Sequence, residues 1–331
     1  MNSQHQNGKI SPSKSKGRGC LVWLGRIMIS IMVLSLPGYI YEPMAEAADA
    51  KAYPPPGQMV DVGGYRLHIN CTGEGSPTVV VESGWGDFSA TWARVQPEIA
   101  KTTRICTYDR AGMGWSEPSP EPRTAQEFAK ELHILLEKAN EPGPYVLVGH
   151  SMGGYTVRVY AYDYPEEVAG LVFVDPQNLS TEDATIFNPA PKPGKNSLPA
   201  LMARIGLVRL LAVPLGAVED LPEGDKQAYT ASVVTVRSVQ TFLDEGMGMS
   251  EGGAQARAVT TLGALPLIVL SRGKDMDAES AASQARYLQL STDSQHLIAD
   301  QSGHHIMIEQ PEAAVAAIMK MVEMVRQATQ K

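Results

Sequence analysis

The chain has 331 residues, of which 44% are hydrophobic and 19% are charged, and its formal net charge is −8. This length and apolar content suffice for one large domain with an insert. The negative charge, without a basic cluster after residue 50, argues against nucleic-acid binding. The sequence shows neither a phosphate-binding glycine loop nor the ligand spacing of a metal site, so we expect chemistry without a cofactor or metal.

Residues 1–50 have the pattern of an export segment. Four basic residues lie between positions 9 and 18, a hydrophobic run extends from about Ile27 to Tyr41, and two A-x-A sites follow at 45–50. This order predicts a signal peptide, which is the interpretation we favour, and the alternative is an uncleaved membrane anchor over residues 20–41. In both cases we expect an exported domain, secreted or anchored to the outer face of the cytoplasmic membrane. Residues 51–57 read as a Pro-rich spacer.

Apolar, strand-like segments alternate with helical ones from residue 58 onward. After a two-stranded start around 63–64 they lie near 78–82, 103–108, 145–149, 171–175, 266–271 and 295–299. Such alternation predicts a mainly parallel sheet with helices on both faces. One helix should begin after a capping box of Thr124 and Glu127, and the last should begin at Pro311.

The segment 178–262 is too long for a structureless connection, and we expect it to form a cap. Residues 178–198 are rich in Pro, Asn, Ser and Lys and predict a linker. The apolar stretch 200–211, interrupted by arginines, has three interpretations: contact with apolar parts of a substrate, packing of the cap on the core, or contact with a membrane.

The sequence G-H-S-M-G at 149–153 follows the apolar run 145–148 and precedes a helical stretch. A serine hydroxyl needs an exposed, tight strand-to-helix turn, where a base can take its proton and a backbone N–H can meet the oxyanion. The motif therefore predicts Ser151 as a nucleophile.

Two of the seven histidines, His304 and His305, lie in a late loop where a base is expected. The run G-H-H-I-M-I-E-Q-P at 303–311 resembles the G-H-x(4)-E-x-P ending of α/β-hydrolases. The resemblance aligns His304 with the family's base, and His305 is the alternative.

A serine nucleophile and its histidine base need a third residue, an acid that orients the histidine, and the sequence offers three candidates for it. Asp275, after the strand 266–270, matches the family's acid best, but the usual G-x-x-D spacing is one residue shorter here. Asp277 is therefore a competitor. Asp175 is a third candidate, because some α/β-hydrolases take the acid from the preceding strand, although an aspartate at a strand end more often caps a turn.

Two further segments match the same family. The strand 79–82 runs into S-G-W-G at 83–86, where these enzymes build half of the oxyanion hole. The resemblance implies that the backbone N–H groups of Trp85 and Met152 bind the oxyanion. The loop D-R-A-G-M-G-W-S at 109–116 resembles a family loop that is structural, and its aspartate should bond nearby amides.

The resemblance covers about residues 58–325 and implies an α/β-hydrolase fold. We expect a mainly parallel eight-stranded sheet with helices on both faces, a core of residues 58–177 and 263–331, and a helical cap inserted after the sixth strand. In that fold the strands near Cys71 and Cys106 lie side by side, so an exported protein should carry a disulfide between them.

The implied function is a serine hydrolase that cleaves carboxylic esters, or related acyl bonds, through an acyl-enzyme. Its expected partner is a small-molecule ester with an apolar part. An amidase or aminopeptidase of the same superfamily is the first alternative. A non-catalytic binding or signalling protein on this fold is the second.

Overall fold

The computed structural model describes residues 16–178, 194, 197–211 and 216–330. The basic residues Lys9 and Lys14 of the predicted export segment lie outside these ranges, as does most of the predicted linker 178–198. One helix, α1 (Lys16–Ala52), contains the hydrophobic run and both A-x-A sites. By length and composition α1 is able to cross a membrane.

One sheet of eight strands forms the centre of the molecule, in the order β1-β2-β4-β3-β5-β6-β7-β8. The strands β1 and β2 are antiparallel to each other, β2 is antiparallel to β4, and all other pairs are parallel. The predicted α/β-hydrolase sheet is thereby confirmed. The strands are β1 (Gln58–Asp61), β2 (Arg66–Thr72), β3 (Thr78–Glu82), β4 (Ile105–Tyr108), β5 (Tyr145–His150), β6 (Val168–Val174), β7 (Leu267–Arg272) and β8 (Ser294–Ala299).

The central strands β3, β5 and β6 are buried along almost their whole length. Burial on both sides means that helices cover both faces of the sheet. Thr124 caps its helix by accepting a hydrogen bond from the Glu127 N–H at 3.5 Å, and Pro311 opens the last helix, as predicted. The helices after α1 are α2 (Gln96–Ile99), α3 (Ala125–Lys138), α4 (Gly153–Asp163), α5 (Leu198–Arg204), α6 (Leu207–Leu211), α7 (Glu223–Val233), α8 (Val236–Ala258), α9 (Ala278–Leu288), α10 (Ile306–Glu309) and α11 (Pro311–Thr329).

The cap is helical and is inserted after the sixth strand, as predicted. Its helices α5 to α8 lie between β6 and β7 in the chain. The longest of them, α8, packs against α3 and α4 of the core. The cap therefore rests on the side of the sheet where β5 ends and α4 begins.

A disulfide joins Cys71 of β2 to Cys106 of β4, as predicted. The two residues are direct partners in the antiparallel register, and their Cα atoms are 4.0 Å apart. The bond ties the antiparallel edge of the sheet to its parallel centre.

Candidate active site

The turn between β5 and α4 holds Ser151 in a left-handed backbone conformation, with φ of +49°. Such a conformation is costly for a residue with a side chain and is typical of a nucleophile elbow. Two glycines permit the turn. A Cβ on Gly149 would lie 2.7 Å from the Gly153 carbonyl oxygen, and a Cβ on Gly153 would lie 2.6 Å from the Glu82 carbonyl oxygen. The elbow predicted from the motif therefore has a steric reason for both of its glycines.

His304 and Asp175 form a close pair beside this turn. The Nδ1 of His304 lies 2.5 Å from Oδ2 of Asp175, a distance at which the imidazole N–H donates to the carboxylate. Asp175 follows β6 directly, and His304 lies in the loop between β8 and α10. Parallel neighbours bring their carboxyl ends to one edge of the sheet, which explains why residues 129 positions apart meet here.

The structure does not bring Asp275, the predicted acid, to the imidazole of His304. Asp275 is exposed, and its backbone carbonyl accepts a hydrogen bond of 3.4 Å from Arg272. The competitor Asp277 caps α9 by accepting a hydrogen bond from the Ser280 N–H at 2.7 Å. Both residues lie beyond the end of β7. The carboxylate at the imidazole belongs to Asp175.

Asp175 is fully buried, and donors surround its carboxylate. Oδ2 accepts from His304 and from Arg272 Nη1 at 2.7 Å, whereas Oδ1 accepts from Gln284 Nε2 at 2.5 Å and from the Arg272 N–H at 3.3 Å. Burial alone would raise the pKa of Asp175, but the hydrogen bonds and charges of these partners lower it to about 2. The carboxylate is therefore ionised at neutral pH and able to stabilise a protonated imidazole.

Ser151 is held near His304 through its neighbour His150. The buried His150 donates through Nε2 to the His304 carbonyl oxygen at 3.0 Å, and burial lowers the pKa of His150 well below its usual value. The Ser151 hydroxyl lies 3.5 Å from Oε1 of Gln177, and within the described residues no hydrogen bond joins it to His304. Catalytic hydrogen bonds often tighten only when substrate binds. Gln177 was not predicted, because nothing in its sequence context marks it.

The loop after β3 lies directly against the nucleophile. A Cβ placed on Gly84 would lie 3.3 Å from Ser151 Cβ and 2.8 Å from His150 Nδ1. In the part of the chain that the structure describes, the backbone N–H groups of Trp85 and Met152 donate to no protein acceptor. Both groups therefore stay predicted oxyanion donors. The Trp85 indole turns away, donating to the Phe242 carbonyl oxygen at 2.8 Å and stacking on the Phe242 ring.

A buried charge cluster fixes this loop, and sequence reasoning did not find it. Arg110 donates to the carbonyl oxygens of Ser83 and Gly84, both at 2.6 Å. It also pairs with Glu82 at 2.8 Å and with Glu245 of the cap helix α8 at 2.7 Å. Arg110 belongs to the loop 109–116, which was expected to be structural. The cluster links β3, that loop and the cap around the predicted oxyanion donors.

The neighbouring histidine makes a different contact. His305 Nε2 lies 3.8 Å from Oδ2 of Asp87, whose other oxygen accepts from the Tyr229 hydroxyl of the cap at 3.0 Å. Burial raises the pKa of Asp87 above its usual value. The structure therefore brings His304, and not His305, to Asp175.

In the loop 109–116, Asp109 accepts from the N–H groups of Ser89 and Trp115, as predicted for its aspartate.

A cavity of about 1170 Å³ lies away from Ser151, between the end of α1, the loop 109–123 and the cap, where Glu46, Trp115, Arg123 and Asp244 contribute to its wall. The described residues also contain one cluster of possible metal ligands, formed by Cys71, Cys106 and Glu141. Both sulfur atoms of that cluster are in the disulfide, so it does not fit a metal ion.

Comparison with known proteins agrees with the fold. YqjL of Bacillus subtilis is 28% identical to this chain over 251 residues, which are 74% of this chain and 83% of YqjL. Two other curated relatives are much longer, and the chain covers only 18% and 30% of their lengths. A thermophilic esterase from Thermogutta terrifontis has a TM-score of 0.59 and 23% identity, covering 81% of this chain and 98% of that one. The epoxide hydrolase CorEH has a TM-score of 0.62 and 20% identity, covering 80% and 97%.

These structural likenesses concern the fold alone. The family model that describes the alpha/beta hydrolase fold matches residues 77–311, which is more than half of the chain. The protein belongs to the α/β-hydrolase family.

Proposed function

We propose that the protein is a serine hydrolase that cleaves carboxylic esters through an acyl-enzyme, with Ser151, His304 and Asp175 as its triad. One observation carries the proposal: an ionised, buried Asp175 holds His304 Nδ1 at 2.5 Å, beside a serine in the strained conformation of an elbow. A serine with an oriented base is the arrangement that acyl transfer needs.

Each residue has a defined step. His304 Nε2 takes the proton of the Ser151 hydroxyl as Oγ attacks the ester carbonyl carbon, and the carbonyl oxygen becomes an oxyanion. The N–H groups of Trp85 and Met152 donate to that oxygen. The C–O bond to the alcohol then breaks, and the alcohol oxygen takes the proton from His304. Water repeats the sequence on the acyl-enzyme and releases the acid and free Ser151.

The residue types at the site favour hydrolysis through a serine acyl-enzyme over other reactions. An epoxide hydrolase or dehalogenase needs a carboxylate nucleophile, and position 151 is a serine. An amidase or aminopeptidase would use the same triad and remains the alternative activity. A non-catalytic protein would have no need for the aligned pair of Asp175 and His304 next to a strained serine.

The location that we propose is outside the cytosol. A disulfide between Cys71 and Cys106 favours an oxidising compartment, and α1 supplies an apolar segment of sufficient length for export. The expected substrate is a small-molecule ester with an apolar part.

The test is a substrate panel with a matched variant. We expect the purified full chain to hydrolyse p-nitrophenyl esters with acyl groups between about two and sixteen carbons, and Ser151→Ala to lose at least about a thousandfold in kcat. Aminoacyl arylamides and a styrene epoxide serve as the competing substrates. Faster turnover of the arylamides would move the assignment to an amidase, and ester hydrolysis that survives Ser151→Ala would refute the proposal.

A further inference from the structure

The second half of α1 is bound to the cap. Arg209 of α6 pairs with Glu42 at 2.9 Å and with Asp49 at 2.7 Å, and both carboxylates belong to α1. Glu46, between them in sequence, accepts from the Val236 N–H at the start of α8 at 3.3 Å. The pair of Arg209 and Glu42 is largely buried, since the Glu42 side chain is 2% exposed. Ion pairs of this kind are costly to separate once they are formed.

The backbones of α1 and the cap approach closely at Gly38. A Cβ at this position would lie 1.8 Å from the Ile205 carbonyl oxygen, so a larger residue would push the two segments apart. From Gly38 onward α1 has a protein partner.

The first half of α1 has an entirely different environment. Most of the large hydrophobic side chains that the structure describes between positions 22 and 36 are exposed, and Arg26 is the one charged residue of this stretch. Exposed aromatic residues stand near its ends, with Trp23 at one end and Tyr39 and Tyr41 at the other. The part of α1 before its contact with the cap, residues 20–37, spans roughly 27 Å at 1.5 Å per residue, close to the thickness of a hydrocarbon core of about 30 Å. Aromatic residues near both ends of such a stretch are typical of a membrane-spanning helix.

The cap presents apolar side chains next to the point where this half ends. Leu198 and Leu201 of α5 and Leu210 and Leu211 of α6 are all exposed, with Leu210 at 80%. These four residues, which we call the leucine face, lie on the two helices that flank Gly38 and Glu42 through Ile205 and Arg209. Arg204, at the end of α5, is also exposed. Apolar side chains beside a cation are what a lipid surface with anionic headgroups binds.

We propose that α1 is a retained membrane anchor and that the leucine face of the cap lies on the bilayer surface where α1 leaves it. The lipid surface is the occupant because the leucine face is continuous with the exposed apolar half of α1, through contacts at Gly38 and Glu42. Cleavage at either A-x-A site would remove Glu42 and Gly38 from the chain and leave Arg209 without its most buried partner. Retention of α1 keeps the cap at a fixed height on the membrane.

The proposal does not depend on hydrolytic activity, and its test measures only the position of labelled residues relative to the bilayer. The full chain, with Cys20→Ala as background, carries one cysteine labelled with the fluorophore NBD at Leu201→Cys or Leu210→Cys. Ile29→Cys in α1 is the control for an embedded site. Ile298→Cys of β8 is the control for an exposed site away from the cap, because the exposure of Ile298, 62%, lies between those of Leu201, 53%, and Leu210, 80%.

Each protein is reconstituted in vesicles of phosphatidylcholine and phosphatidylglycerol that contain 5-doxyl lipid. We expect the quencher to remove at least about half of the fluorescence at 201 and 210, and less than about a tenth at 298, because an interfacial helix buries its apolar face about 5–10 Å deep. Labels at 201 and 210 that behave like the label at 298 would overturn the docking of the cap. An unquenched label at 29, or an intact mass showing removal of residues before 51 from the exported protein, would overturn the retained anchor. Equal melting temperatures before labelling establish that the variants are folded.

Discussion

Replacing Asp175 with asparagine is the most informative perturbation of the site. Oδ2 accepts from two donors, His304 Nδ1 and Arg272 Nη1, and Oδ1 accepts from Gln284 and the Arg272 N–H. An asparagine has only one acceptor oxygen, so its NH₂ group must face a donor on one side or the other. If the NH₂ group faces His304, it favours the tautomer with the proton on Nε2, which cannot act as a base.

The expected loss in kcat is on the order of 10³–10⁴, or about 4–5.5 kcal/mol of barrier. The carboxylate also contributes to stability. Its pKa falls from 3.8 in the absence of the fold to about 2 in the folded protein, which corresponds to roughly 2 kcal/mol. Because the folded pKa is the lower one, this contribution is present above about pH 4 and is lost as the pH falls toward 2.

The assay is steady-state hydrolysis of a p-nitrophenyl ester by the parent, Asp175→Asn, Asp275→Asn and Asp277→Asn, with urea unfolding at pH 7. The latter two variants are the matched controls, because both alter aspartates of the same sheet edge that do not bind His304. We expect kcat to change less than about threefold for either control, since neither contacts the imidazole. A loss at Asp275→Asn as large as that at Asp175→Asn, or a loss below about tenfold at Asp175→Asn, would refute the reasoning.

Three other predictions concern the surroundings of the site. Gly84→Ala should lower kcat at least about tenfold, because its methyl group would crowd Ser151. The control Gly224→Ala, whose added Cβ would have no atom within 4 Å, should leave kcat unchanged. Equal kcat values for the two variants would contradict the close approach of Gly84 to Ser151. Replacing Cys71 and Cys106 together with serine should cost roughly 4 kcal/mol in urea unfolding, from a sequence separation of 35 residues, and a loss below about 1 kcal/mol would mean that the bond does not constrain the unfolded chain. Arg110→Met should cost about 3–5 kcal/mol, because it leaves two buried carboxylates without their cation, and calorimetry showing an unchanged melting temperature would count against that cluster.

The sequence predicted the parts of the site that are written in consecutive residues. The elbow around Ser151 and the loop containing His304 are short motifs, each recognised from residues that are adjacent in the chain. The fold followed because alternating apolar segments with long connections permit few arrangements. The disulfide followed from that fold together with the expected compartment.

The acid could not be assigned in this way. Asp175 and Asp275 both follow a parallel strand, and the sequence does not reveal which of the two carboxylates the loop of His304 will reach. That choice depends on the donors Arg272 and Gln284, which surround Asp175 only after β6, β7 and α9 have packed together. A positive φ at both aspartates gives no distinction either.

The contact of α1 with the cap was also beyond sequence reasoning. Arg209 and Glu42 are 167 residues apart, and each lies in a segment that was interpreted separately, one as an export signal and one as part of a cap. Membrane contact by residues 200–211 was the third of three interpretations. The structure adds the position of those residues beside α1, which is the observation that distinguishes them.

The central claim is that Ser151 forms a covalent acyl-enzyme, and active-site labelling measures this directly. The folded full chain is treated with a fluorophosphonate, and the intact mass and the labelled peptide are determined for the parent and for Ser151→Ala. The account predicts one adduct per chain, located on Ser151, and none on the variant. An adduct on another residue, or undiminished labelling of Ser151→Ala, would contradict it.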